Sequence, residues 1–561
     1  MKPRHALTGL ALPILGLLLF TSTGRDDAHI TYWAAYSLAH FGKILNYSGL
    51  PVEQSSTLLQ TLLLAGLHSL SGLDLVILGK LLSIIFGAAC AITLARLADR
   101  VAPALVLSSL PSFVYWAFSG MEATLTAFTL LNATLATASW LEKRRGRQFW
   151  LAGLWVALLV LVRPELPIVW LAGLGLAAGW QTLEQLLLNE RPLDGLWKGY
   201  LPIALLSLGL FAGLMLLRSA VFGMPFPQPV SVKTNGLDLD DLHRGLQYLA
   251  QNARPENLLF TALAALGGAA LLFGPRSSTS RDLPRLAAAL SLMQLAFITV
   301  TGGDWMEGGR FLVPILPLLA FFTTAGLTAL TKNERLEKVG WAALLTLNLA
   351  ALLAFAAQQS TGTPLWSTLS LESRYQPQAY TWFERRNRIN LRDIPVIETL
   401  DRLVAEIYQQ KGAPVVLLSG QMGMVPYRVA ENHFGQIIVL DRRGLSSREL
   451  VTCPAADALP RTSTGVQLLY VDFFKHLAEF QACGVPWPDL IYDLGNPESV
   501  HAPETEYTLA YWQAGELSAG GILPGMTVIT NEYIYIRRGY LSAVTGTSSQ
   551  PIDFNHLIKT R

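Results

Sequence analysis

Two adjacent carboxylates, Asp26 and Asp27, open the stretch DDAHITYWAAYSLAHFG just after an apolar run, ALTGLALPILGLLLF. More charged groups recur further along the chain. Glu53 follows in the same loop, and Glu122 lies in WAFSGMEAT. Arg163 and Glu165 lie in LVRPELP, Arg218 and Lys233 flank VFGMPFPQPVSVK, and Asp304, Glu307 and Arg310 lie in TGGDWMEGGRF with Trp305. A carboxylate can take a proton from a hydroxyl or ligate a hard cation. Arginine holds an oxyanion bidentately, and lysine holds it as a point charge. Each residue also has a plainer reading. Glu122 and Arg218 fit interfacial, snorkelling side chains; Arg163 and Glu165 fit an ion pair; Asp304 to Arg310 fit a tight glycine-rich turn; Asp26 and Asp27 fit a solvated loop start. His243, in LDDLHRGLQYL, reads as a surface residue of an outer-loop helix.

The elements that must position these groups are membrane spans. Only 15% of the 561 residues are charged and 51% are hydrophobic, whereas about a quarter of a soluble domain is charged. The class is an integral membrane protein. A net charge of +2 gives no sign of a nucleic-acid partner. A spanning helix needs about 20 predominantly apolar residues. Such runs fall at 6–22, 73–96, 101–118, 121–141, 149–162, 165–180, 200–222, 257–274, 287–301, 310–330 and 339–357, about eleven spans. Segments 149–162 and 165–180 form a pair broken at Arg163-Pro164, because proline disfavours helix in the residue before it.

Basic residues mark the cytoplasmic side of such a chain. Lys2 and Arg4, Arg96 and Arg100, the cluster KRRGR at 143–147, Arg276, Arg281 and Arg285, and Lys332, Arg335 and Lys338 all fall on one side if 56–71 lies in the interface. Segment 30–41, with Ile30, Trp33, Ala34, Leu38 and Phe41 at helical spacing, reads as interfacial too. An odd number of spans puts the N-terminus inside and everything after about 358 outside. The charged motifs named above then share the outer face. The first 22 residues also fit a cleaved signal peptide, although TST-G is a poor cleavage site.

From about residue 358 polar, aromatic and turn-rich segments replace the apolar runs. PVVLLSG, QIIVLD, VQLLYVD and EYIYIRRGY read as strands between helical patterns such as IPVIETLDRLVAEIYQQ. The expected division is a membrane domain at 1–358, with outer loop 1 at 23–72, and an extracytoplasmic α/β domain at 359–561. Cys453 and Cys483 lie in the second part, where a disulfide is permitted and two separate thiols are equally compatible; Cys90 lies in a span.

The stretch DDAHITYWAAYSLAHFGKILNYSGLPVEQSSTLL resembles the first outer loop of GT-C glycosyltransferases that take sugars from polyprenyl-phosphate carriers. Within them it is most similar to the membrane arabinofuranosyltransferases of cell-wall and pilin glycosylation. FSGMEATL, LVRPE, FGMPFPQPVSVK and GGDWMEGGRFLVPILP match family motifs in the same order, over about residues 1–360. In the tail, LLSGQMGMVPYRVAENHFGQIIVLDRRGL resembles a short family segment. The chain departs from the pattern at His29, at Gln54-Ser55-Ser56 and at Gln228.

The resemblance implies a GT-C fold and transfer of a sugar, arabinofuranose by the nearest likeness, from a polyprenyl-phosphate donor to an extracytoplasmic glycan or protein. It implies Asp26 or Asp27 as general base. Arg163, Arg218, Lys233 and Arg310 are candidates for the donor phosphate, and Glu53, Glu122, Glu165, Asp304, Trp305 and Glu307 for sugar or acceptor. Neither a phosphate-cradling P-loop nor a dinucleotide fingerprint is present, in keeping with a donor other than a nucleotide sugar. No cofactor and no obligatory metal are expected, although the acids could hold a divalent cation. The expected location is the plasma (inner) membrane, multi-pass. Two alternatives stay open: a GT-C enzyme for mannose or another hexose, and a transporter or flippase for a lipid-linked sugar, a class often marked by inverted repeats and midplane sites that this sequence does not display.

Overall fold

The structure, a computed structural model, describes residues 3–19, 26–187, 196–233, 239–253, 255–273, 281–304, 306, 308–331, 333–359, 393–458, 461–462, 465–466, 470–494, 506–513, 516–518, 527–529 and 532–540. Six described helices are long and apolar enough to cross a membrane: Leu75–Ala98, Leu166–Leu187, Lys198–Phe222, Asp282–Val300, Arg310–Leu330 and Glu334–Ala354. Leu58–Ser71, Gly146–Val162 and Asn257–Phe273 are apolar but shorter. The chain is a multi-pass membrane protein. Among the described residues six helices have the length of a lone span, against about eleven segments expected, of which 149–162 and 257–274 fall on two of the shorter helices.

The difference has local causes. The expected span 101–118 is two helices, Ala102–Ser109 and Pro111–Ala117, with Leu110 extended between them. Pro111 has no N–H to continue the ladder, and Leu110 N–H turns back to the Leu107 carbonyl. The freed Val106 carbonyl accepts instead from Asn348 Nδ2, at 3.3 Å, in helix Glu334–Gln359. The chain is also interrupted between helices Gly146–Val162 and Leu166–Leu187, where Arg163 is extended at φ −149° and ψ 141°. Helix Ala123–Lys143 is rich in threonine and alanine, and its Thr126, Thr129 and Thr134 hydroxyls bond back to carbonyls one turn earlier.

After Lys411 the chain builds a five-stranded sheet in the order Ile437–Asp441, Val415–Ser419, Leu490–Leu494, Glu532–Arg537, Tyr507–Gln513. The first three strands are parallel, and Glu532–Arg537 runs antiparallel to both of its neighbours. Val415–Ser419 is buried at all five positions, as expected for a parallel strand covered on both faces. Cys453 and Cys483 form a disulfide with Cα atoms 5.6 Å apart. Of the segments read as strands, VQLLYVD differs: Gly465–Val466 pairs in a two-residue ladder, and helix Tyr470–Lys475 follows.

One buried cluster runs without interruption from the spans through outer loop 1 into this sheet, and includes Trp33, Tyr47, Met422 and Tyr427. Polar contacts follow the same route. Asn46 Nδ2 donates to the Ser446 carbonyl at 2.9 Å, and the Tyr47 hydroxyl to the Met422 carbonyl at 2.8 Å. The Ser48 hydroxyl donates to the Val439 carbonyl and accepts from Val439 N–H. Ser48 thus occupies backbone groups on the sheet's edge strand that would otherwise be open to pairing.

Candidate active site

Asp26 and Asp27 form the turn that starts helix Ala28–Phe41. They face different neighbours. Asp26 Oδ1 accepts the Met424 backbone N–H at 2.7 Å, so it sits at the open N-terminus of helix Met424–Asn432, where an anion is favoured. Gly423 makes the approach feasible, since a Cβ there would lie about 2.0 Å from the Asp26 carboxylate oxygens. Asp27 instead lies within electrostatic reach of Lys233, the last residue of helix Gln228–Lys233.

Lys233 is the hub of the charged groups. Burial holds its ammonium below the ordinary lysine range; Asp27 and Asp304 oppose that shift, while Arg310 and Arg163 add to it. The arginines are pinned in turn. Arg163 pairs through Nη1 with Glu122 and through Nε with Glu165. Arg310 Nε lies 2.7 Å from Asp304 Oδ2, an ion pair by distance without the alignment of a hydrogen bond. The Phe311 ring centre is 5.1 Å from the Arg163 guanidinium and 5.2 Å from that of Arg310. The cluster thus holds four acids (Asp27, Glu122, Glu165, Asp304) and three bases (Arg163, Lys233, Arg310), drawn from five separate segments.

The loop carrying Asp304 and Arg310 is shaped by glycine. Gly302, Gly303, Gly308 and Gly309 all have φ between +66° and +79°, the left-handed region that disfavours other residues. Trp116 Nε1 donates to the Gly308 carbonyl at 2.8 Å, and Phe311 N–H donates to the Tyr248 hydroxyl at 3.2 Å. Trp305 and Glu307 lie outside the described residues.

Glu53 and Arg218 are brought together as an ion pair. Arg218 Nε and Nη2 donate to the two Glu53 oxygens at 2.8 and 3.0 Å, both side chains being almost wholly buried. This pairing commits two of the five guanidinium N–H donors to Glu53. The Glu53 carbonyl accepts Gln228 N–H, and Gln228 Nε2 donates to the Gly444 carbonyl. The pair thus ties outer loop 1 to helix Lys198–Phe222, and Gln228 bridges that loop to the turn after strand Ile437–Asp441. His243 is exposed and bonded to Gln247 in helix Leu239–Gln251.

Sequence reasoning missed Trp116 and Tyr248, which hold the glycine loop, and Arg428, which pairs with Asp74 at 3.2 Å and with Glu431. The aromatic VYW beside FSGME was a usable signal for Trp116. None existed for Arg428, because Asp74 lies 354 residues away.

No family model matches the sequence, and no curated protein matches it. Solved structures do. ArnT from Cupriavidus metallidurans bound to undecaprenyl phosphate aligns with a TM-score of 0.50 at 12% identity, covering 94% of this chain and 96% of ArnT. Apo ArnT gives 0.49 at 13% over the same shares. The archaeal oligosaccharyltransferase AglB from Archaeoglobus fulgidus, in complex with an inhibitory peptide and a dolichol-phosphate, gives 0.48 at 12%, covering 96% of this chain and 77% of AglB. At such identities the likeness is one of fold. The chain is a multi-pass membrane protein that shares the fold of ArnT over nearly its whole length.

Proposed function

We propose that the protein is a membrane glycosyltransferase that moves a sugar, arabinofuranose by sequence likeness, from a polyprenyl-phosphate donor to a hydroxyl of an extracytoplasmic glycan or protein. The observation that carries this reading is the set of ion pairs Arg163–Glu122, Arg163–Glu165 and Arg310–Asp304, with Asp27, Asp304, Arg163 and Arg310 all within electrostatic reach of Lys233. A fold shared with a protein solved with undecaprenyl phosphate supports the donor class.

In this reading Asp27 takes the proton of the acceptor hydroxyl. The acceptor oxygen bonds to the anomeric carbon while the bond from that carbon to the phosphate oxygen breaks. The electron pair leaves with the lipid phosphate, whose charge is held by Lys233, Arg163 and Arg310. Glu122, Glu165 and Asp304 fix the guanidinium groups, and Trp305 and Glu307 contact sugar or acceptor. Asp26 acts at a distance, by seating helix Met424–Asn432, and the Glu53–Arg218 pair holds outer loop 1 against helix Lys198–Phe222. Residues 1–358 form the catalytic membrane domain. Residues 359–561 form an outer domain that presents the acceptor, with the N-terminus in the cytoplasm and the plasma membrane as location.

The test is incubation of the purified full chain in detergent with polyprenyl-phosphoryl arabinofuranose and, separately, polyprenyl-phosphoryl mannose, with a glycan or peptide acceptor. Lipid-phosphate release and acceptor mass gain with the pentose donor are expected. Release with mannose alone would change the sugar, and binding of both donors without transfer to any acceptor would favour a carrier of lipid-linked sugar.

A further inference from the structure

Outer loop 1 carries two histidines that the proposed reaction does not use. His40 lies near the end of helix Ala28–Phe41, and His68 near the end of its packing partner, helix Leu58–Ser71. His40 Nδ1 is 3.0 Å from the Tyr36 carbonyl, and His68 Nδ1 is 2.7 Å from the Leu73 carbonyl. A carbonyl oxygen has no proton to give, so in each neutral ring Nδ1 carries the hydrogen and Nε2 keeps the lone pair. This is the tautomer of a metal-bound imidazole, which characteristically donates its second nitrogen to a carbonyl or carboxylate.

The spacing agrees. The ring centres are 5.2 Å apart, with planes inclined at 42°. With a metal bond of about 2.0 Å, and about 1.1 Å from ring nitrogen to ring centre, two imidazoles on one tetrahedral ion have centres about 5 Å apart. His40 is exposed and His68 half-buried, so an ion can reach them. Tyr36 stacks on His40 at 4.0 Å and supports one ring.

We propose that His40 and His68 form a two-histidine site for a borderline transition-metal ion, Zn²⁺, Ni²⁺ or Cu²⁺, with water completing the coordination. Imidazole suits these ions, whereas Mg²⁺ and Ca²⁺ prefer oxygen. Among the described residues no group of three or more His, Cys, Asp or Glu is placed to hold an ion, so the site is open and weaker than a closed four-ligand cage. His40 lies thirteen positions after Asp27, about 20 Å along the helix axis. The ion therefore clips two outer-loop helices together, at the far end of the one that Asp27 starts.

The experiment uses the full chain in detergent, stripped with EDTA and freed of chelator. Titration with Zn²⁺ should show one saturable equivalent and a rise in the thermal midpoint. In His40→Gln and in His68→Gln the affinity should fall about tenfold or more, and the thermal shift should vanish. Electron paramagnetic resonance of the wild type with one equivalent of Cu²⁺ should show hyperfine coupling to two imidazole nitrogens, a readout that needs no variant to fold. Absence of saturable binding at millimolar ion, coupling to fewer than two nitrogens, or unchanged binding in both variants would overturn the site.

Discussion

Adjacent in sequence, Asp26 and Asp27 meet different distant neighbours, Met424, 398 residues away, for one and Lys233 for the other. This division predicts unequal variants. Asp26→Ala removes an N-terminal cap, so it should destabilise the seating of helix Met424–Asn432 by about 1 kcal/mol and lower turnover by less than about tenfold, measured by denaturant unfolding and by sugar transfer. Lys233 must be protonated to hold phosphate, and burial keeps it below the usual lysine range. Donor affinity should therefore fall on the alkaline side before an ordinary lysine, near about 10.4, would titrate, and Lys233→Arg should move that limb upward. His29 is buried against Tyr32 and Tyr427 and stays neutral, with its pKa lowered from 6.5 to about 3, chiefly by burial and next by Arg428. Between those two values the unfolded chain binds a proton that the folded one refuses, so stability drops as pH falls through that window. His29→Phe should flatten the decline, read from unfolding midpoints across that range.

At the scale of elements, the charged cluster depends on two interruptions: the break at Arg163 and the glycine loop before Arg310. The loop's Gly308 carbonyl is held by Trp116, itself buried at the helix that Pro111 begins. Trp116→Phe removes the donor while keeping an aromatic side chain. The expected cost is about 1–3 kcal/mol of local stability if the carbonyl is left unpaired, together with a lower kcat/KM, whereas unchanged kinetics would detach the loop from catalysis. Periodicity and apolar length make the helices legible in the chain, because those signals are local. Pro111 was visible there as well, yet an unbroken apolar run outweighed it. What could not be read was partnership. The Glu53–Arg218 bond spans 165 residues, and a one-dimensional pattern does not tell a buried pair from two separate ligands. The direction taken by each aspartate of a two-residue turn likewise depends on Gly423, far away in the chain.

For the whole molecule, the account has one charged cluster, one outer loop and one C-terminal sheet joined through a continuous core. The orientation proposed for it is testable apart from the chemistry. Gly146→Cys, next to the exposed basic residues at 143–147, should resist an impermeant thiol reagent applied from outside, because Cys90 is buried and the other two cysteines are joined. Rapid labelling would reverse the topology. The central claim is that Asp27 takes the acceptor's proton while the neighbouring cations hold the departing lipid phosphate. The most direct measurement compares wild type and Asp27→Asn for lipid-phosphate release from polyprenyl-phosphoryl arabinofuranose in the presence of acceptor, with donor binding measured in parallel. The account predicts that the variant binds the donor and loses turnover by about two orders of magnitude or more. Near-normal release from Asp27→Asn would contradict it.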